Sequence, residues 1–108
     1  AACGNSVTNM YYAYFNCFNL TGQSICGPNV IDMSYAYANC NRLSIAVCGS
    51  NVKYMNSTYY NCTNLTGSPS CGPNVISMYS TYQNCINLID GLDGLLVKKN
   101  LLKNLPIK

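Results

Sequence analysis

The chain has no histidine, no glutamate and no tryptophan in 108 residues, and its only carboxylates are Asp32, Asp90 and Asp93. Without His or Glu, a Ser or Cys nucleophile has no general base, and the paired carboxylates of a glycosidase are missing. No glycine-rich phosphate-cradling motif occurs. The sequence therefore reads as a non-enzyme with no cofactor. Zinc is also excluded: the cysteines are spaced 14, 9, 14, 8, 14, 9 and 14 residues apart, far from the two-to-four-residue spacing of a structural site.

Charge is scarce as well, at 8% of residues. Residues 1–89 hold only Asp32, Arg42 and Lys53, and most of the net charge of +3 lies in the tail, where Lys98, Lys99, Lys103 and Lys108 stand against Asp90 and Asp93. Four lysines in a tail read as a solvated face, and nucleic acid is not expected as a partner. No apolar run approaches the ~20 residues of a spanning helix, so no membrane span is expected. Signal peptide, lipidation site and initiator Met are absent from the start, Ala1-Ala2-Cys3, which reads as a processed chain or an excerpt of a longer one.

What the chain has in abundance is Asn, Ser, Thr and 10 Tyr, arranged in a repeat. Segments starting at residues 3, 26, 48 and 71 overlay without gaps for eighteen residues on the pattern CGxxVxxMxxxYxNCxxL. Beyond the opening Cys-Gly, the shared rows are Val7, Val30, Val52 and Val75; Met10, Met33, Met55 and Met78; and Tyr14, Tyr37, Tyr59 and Tyr82. The remaining rows are Asn16, Asn39, Asn61 and Asn84; Cys17, Cys40, Cys62 and Cys85; and Leu20, Leu43, Leu65 and Leu88. The copies start 23, 22 and 23 residues apart, and the missing residue falls between Leu43 and Cys48, in a connection where length change is tolerated.

Within a copy, Val7, Met10, Tyr14, Cys17 and Leu20 follow one another at the one-face spacing of a short helical turn. Asn9, Asp32 and Ser77 precede the Met as N-caps, with Tyr54 the exception. The recurrent Asn falls where such a turn ends and a left-handed residue is wanted. From Leu to the next Cys-Gly a short strand fits, and the Gly marks the turn leading back. The expected fold is thus a repeat solenoid, leucine-rich-repeat-like, with a short parallel strand and a helical turn in each of four copies over residues 1–88.

The run VTNMYYAYFNCFNLTG, from Val7 to Gly22, resembles the BspA-like leucine-rich repeat, including the Mycoplasma-lipoprotein type. The resemblance covers about residues 3–88 and departs from the family in a second Cys per copy and a shorter period. It implies an extracellular, cell-surface or virion-surface protein used for adhesion or host contact.

Each Cys belongs to a row filled by the same residue in every copy, which is how small buried apolar positions behave in a solenoid. A disulfide framework is the rival reading, since the count is even and the expected compartment oxidising. The Asn-x-Ser/Thr triplets at Asn19, Asn56, Asn61 and Asn64 arise from composition.

Aromatics outside the shared rows are the candidate binding residues: Tyr11, Tyr12, Phe15, Phe18, Tyr35, Tyr54, Tyr60 and Tyr79. They read either as anchors for a protein or glycan on a host or neighbouring surface, or as a cover stacked over the core. The expected function is a recognition or adhesion module. The rival is a structural unit that self-associates through the uncapped N-terminal end or docks in a larger assembly. Residues 89–108 repeat only Asp93-Gly94 and Val97 in register before alternating Leu with Lys. They read as a degenerate fifth copy that caps the core or docks on a partner.

Overall fold

The computed structural model describes residues 4–66 and 71–88. The N-terminal residues and the segment 89–108, with its expected cap or docking role, lie outside the described residues. The backbone is organised by two interleaved hydrogen-bond sets. One closes tight turns within a copy: Ala13 N–H to Met10 O (2.9 Å), Phe15 to Tyr12 (3.2 Å), Cys17 to Tyr14 (3.0 Å) and Leu20 to Cys17 (3.1 Å). The other joins copies: Met10 N–H donates to Asp32 O (2.8 Å), Tyr12 to Ser34 (3.1 Å), Tyr14 to Ala36 (2.7 Å) and Asn16 to Ala38 (2.9 Å). Both patterns recur from Met33 and from Met55, so every second N–H serves the turn and the one between serves the next copy.

This division corrects the expected helical turn, for no helix occurs among the described residues. An α-helix would use every N–H internally. Here alternate donors go to the neighbouring copy, and left-handed residues recur at Tyr12 and Asn16, Tyr35 and Asn39, Ser57 and Asn61, and Ser80 and Asn84, with φ between 55° and 66°. A left-handed residue at every fourth position breaks a right-handed helix and instead supplies the third residue of a type II-like turn. The 3-4-3-3 spacing of apolar residues is common to both solutions.

Of the expected N-cap residues, Asn9 and Asp32 make the bond expected of them without a helix following, and Ser77 does not. Asn9 Oδ1 accepts Tyr11 N–H and Asp32 Oδ1 accepts Ser34 N–H, each at 2.9 Å. In the third copy, where Tyr54 has no such acceptor, Ser34 Oγ of the preceding copy takes Asn56 N–H at 3.1 Å. In the fourth, Asn56 Oδ1 takes Tyr79 N–H and the Ser77 hydroxyl, both at 2.8 Å.

Among the described residues two strands are present, β1 (Gly22–Gln23) and β2 (Leu43–Ile45), paired in parallel with Gly22 opposite Leu43 and Gln23 opposite Ile45. They lie in the connections of the first two copies. Isolated parallel bridges also run Asn9 to Asp32 to Tyr54 to Ser77, across all four copies at the position before the methionine.

Side chains repeat the backbone order. The Met row is buried, with Met10 4% exposed and Met33, Met55 and Met78 at 0%, each contributing about 1.5–3 kcal/mol of apolar burial. Tyr14, Tyr37, Tyr59 and Tyr82 stack ring on ring at 5.1, 5.7 and 5.5 Å. Their hydroxyls cross the interior to the returning connection: Tyr37 Oη exchanges hydrogen bonds with the Ile25 N–H and C=O at 2.9 Å, and Tyr59 Oη donates to Val47 O at 2.7 Å. Ser24 Oγ lies 2.7 Å from Tyr59 Oη and accepts Val47 N–H. The copies approach closely at the Gly row. A Cβ on Gly49 would stand 2.7 Å from Cys26 Sγ, and one on Gly72 would strike the Gly49 carbonyl, whereas one on Gly4 would meet nothing.

The Asn row forms a hydrogen-bonded ladder: Asn39 Nδ2 to Asn16 Oδ1 (2.7 Å), Asn61 to Asn39 (2.9 Å) and Asn84 to Asn61 (2.7 Å). Cys40, Cys62 and Cys85 carry unpaired thiols that donate to the Tyr14, Tyr37 and Tyr59 carbonyls at 3.2, 3.1 and 3.0 Å. Burial, the largest cause in each case, pushes the Cys40 thiol up to about 11 and Cys85 to about 12, and raises Cys62 as well. These thiols are inert at neutral pH.

Candidate functional site

The three columns that flank the methionine, one before it and two after, lie side by side and are exposed or half-buried except at Ser34, which is buried. In the first copy they hold Asn9, Tyr11 and Tyr12; in the second Asp32, Ser34 and Tyr35; in the third Tyr54, Asn56 and Ser57; in the fourth Ser77, Tyr79 and Ser80. The turn with its left-handed third residue leaves most of these side chains at the surface while the methionine points in. An open groove of about 580 Å³ runs over these columns, lined by Tyr11, Asp32, Ser34, Tyr35, Tyr54, Asn56, Ser57, Tyr79 and Ser80.

Each copy contributes one ring to the groove, Tyr11, Tyr35, Tyr54 and Tyr79 in turn, beside the smaller Ser34, Asn56, Ser57 and Ser80. Tyr11, Tyr54 and Tyr79 are exposed and Tyr35 is half-buried. An aromatic cluster buttresses the first end: Tyr12 stacks on Tyr35 at 4.7 Å with rings 5° apart, and Tyr11 meets Tyr35 edge-on at 6.1 Å. Phe15 packs edge-on against Tyr12 at 5.0 Å. Burial and its neighbours Tyr11 and Tyr35 raise the Tyr12 phenol.

Tyr12 and Tyr35 both sit at φ 61°, a region that costs a bulky residue about 1–2 kcal/mol. The same turn position carries Ser57 and Ser80 in the other two copies, so the turn itself does not demand a ring there. Strain held by bulky residues at a surface marks a candidate site.

Of the eight sequence candidates, Tyr11, Tyr35, Tyr54 and Tyr79 line the groove, and Tyr12 and Phe15 support its aromatic end. Phe18 is exposed and Tyr60 half-buried, both away from the groove. Sequence reasoning missed Asp32, Ser34, Asn56, Ser57 and Ser80. The signal was present: these residues share alignment columns with the tyrosines, and a column rather than a residue type defines a face in a repeat. Read one residue at a time, Asp32 was spent on capping.

The electrostatics are spare. Asp32 is the sole charge lining the groove, and Arg42 and Lys53 do not line it. Among the described residues no group of His, Cys, Asp or Glu could hold a metal ion. No helix among them is long and apolar enough to cross a membrane. Comparison with protein-family models, with curated proteins and with solved structures finds no match to this chain. The BspA-like resemblance therefore rests on the motif residues alone.

Proposed function

We propose that this chain is a non-enzymatic recognition or adhesion module, a leucine-rich-repeat-like solenoid whose variable columns form a binding face at a cell or virion surface. The observation that carries this reading is the groove, which gathers four tyrosines from four copies around a polar floor. Aromatic rings beside hydroxyls and amides supply contact area and hydrogen bonds at low entropic cost, as in other binding surfaces. The BspA-like resemblance points the same way. The test is adhesion of the labelled protein to intact microbial and animal cells. Saturable retention that falls at least about fivefold in a Tyr11→Ala/Tyr79→Ala double variant is expected; retention indifferent to the two rings would remove the groove from the function.

A second reading, a unit that docks in a larger assembly, is favoured by the first-copy end. Val7, Tyr14, Cys17 and Leu20 are half-buried there, while their second-copy equivalents are buried. Among the described residues no N–H meets the Tyr11, Ala13 and Phe15 carbonyls, whose second-copy counterparts all accept. An apolar edge with free acceptors suits association through that end. A mass by light scattering that grows with protein concentration supports this reading, and a constant monomer mass argues for recognition alone.

A further inference from the structure

We propose that the groove binds a neutral, linear glycan lying along the stacking direction, with its sugar rings against the tyrosines and its hydroxyls on the floor. This deepens the recognition reading and rests on it.

The exclusions come from the backbone and from charge. A peptide added as an extra strand needs free N–H and C=O groups along the groove. Here the Tyr12, Tyr35 and Ser57 N–H groups are spent on the Ser34, Asn56 and Tyr79 carbonyls at 2.8–3.1 Å, so a peptide lying along the groove finds these donors taken, and the free Tyr11, Ala13 and Phe15 carbonyls serve the first-copy end instead. A nucleic acid or acidic polymer needs cations, and none lines the groove. One carboxylate is too little to select a polycation. What remains is a neutral ligand with apolar faces and many hydroxyls.

The floor fits such a ligand group by group. Asp32 commits Oδ1 to Ser34 N–H, leaving Oδ2 to accept from a sugar hydroxyl. Asn56 uses its Oδ1 twice within the protein, on Ser77 and Tyr79, so its Nδ2 is left to donate outward. The Ser57 and Ser80 hydroxyls line the groove, and each can donate or accept. Tyrosine rings cover C–H faces while their hydroxyls stay wet. Successive copies stand about 4.8 Å apart, and each contributes one ring to the groove, Tyr11, Tyr35, Tyr54 and Tyr79 in turn, a step close to the rise of one sugar in an extended chain. From Tyr11 to Tyr79 the groove crosses three such intervals, about 14 Å, the reach of a short oligosaccharide.

The experiment titrates the full chain with linear gluco-, manno- and chito-oligosaccharides of one to six units, followed by calorimetry and tyrosine fluorescence. In at least one series the affinity should rise about tenfold or more from disaccharide to tetrasaccharide and then level off, as successive copies engage. Tyr79→Ala and Asp32→Asn should each weaken the tetrasaccharide about fivefold or more, whereas Phe18→Ala, outside the groove, should not. Asp32→Asn keeps the Oδ1 acceptor for Ser34 N–H, so its loss reads the ligand rather than the turn. Absence of binding across all series, or binding without length dependence, overturns the glycan assignment.

The cell-retention assay separates the two levels of the claim. Retention abolished by periodate and surviving protease supports the glycan. Retention abolished by protease and surviving periodate overturns it in favour of a protein partner, with the recognition reading intact. No retention on any cell, together with no oligosaccharide binding, overturns both.

Discussion

Asn61 does two separable things. Its backbone sits at φ 60°, and its amide donates to Asn39 while accepting from Asn84. Asn61→Gly keeps the left-handed backbone and loses the ladder, at a cost of about 1–2 kcal/mol for two net hydrogen bonds. Asn61→Ala loses both and should cost about 2–4 kcal/mol, since a Cβ is penalised in that region. Urea unfolding of the two variants measures the difference; equal midpoints would mean that the backbone conformation places no demand on the residue. Glycine is needed for another reason at Gly72, where a Cβ would meet the Gly49 carbonyl. Gly72→Ala should therefore destabilise by about 1–3 kcal/mol, while Gly4→Ala, with nothing around its Cβ, should stay within about 0.5 kcal/mol of the parent. Comparable losses at both sites would show that the glycines serve the turn and not the approach of copies.

At the scale of the element, each turn is held partly by a neighbour. Met33 O accepts Ala36 N–H at 3.0 Å from its own copy and the Thr58 hydroxyl at 2.8 Å from the next. Because the carbonyl keeps one partner, Thr58→Val should cost only about 0.5–1.5 kcal/mol, and a larger loss in thermal melts would mean the hydroxyl supports more than this bond. The same elements show what could be read in advance. Val, Met, Cys and Leu recur because each copy buries them in the same place, and that demand is visible in one chain without knowing the backbone. Asn16 and its equivalents announced a left-handed residue because Asn is suited to one. Tyr12 and Tyr35 announced nothing, since a tyrosine gives no hint of positive φ, and without that second left-handed residue the spacing reads as helix. The groove was half legible for a related reason. Aromatics outside the shared rows stand out by type, while Ser34, Asn56 and Ser57 matter only by column, and a serine in a serine-rich chain carries no signal of its own.

At the scale of the molecule, thiols and phenols are the buried groups that can ionise among the described residues, and this moves its pH sensitivity to the alkaline side. Cys40, Cys62, Cys85, Tyr37 and Tyr59 are all raised, with burial the leading cause. In the unfolded chain a thiol releases its proton near 9.0 and a phenol near 10.0; folded, Cys40 holds its proton to about 11 and Cys85 to about 12. Below pH 9 both states keep these protons, so the contribution is fully present and the melting temperature should be flat from neutral pH to that point. Above it the unfolded state loses protons that the folded state retains, and stability falls by up to about 1.4 kcal/mol per pH unit for each such group. A decline should thus begin near pH 9 and steepen past 10 as the phenols join. Replacing Cys40, Cys62 and Cys85 together by Ala lowers stability at neutral pH through lost packing, but should delay the onset of the alkaline decline to the phenol range. Calorimetric melts of the parent and the triple variant from pH 7 to about pH 11 decide it. A parent curve that stays level through pH 10.5, or an onset unmoved in the variant, would show that the thiol row is not held protonated by the fold.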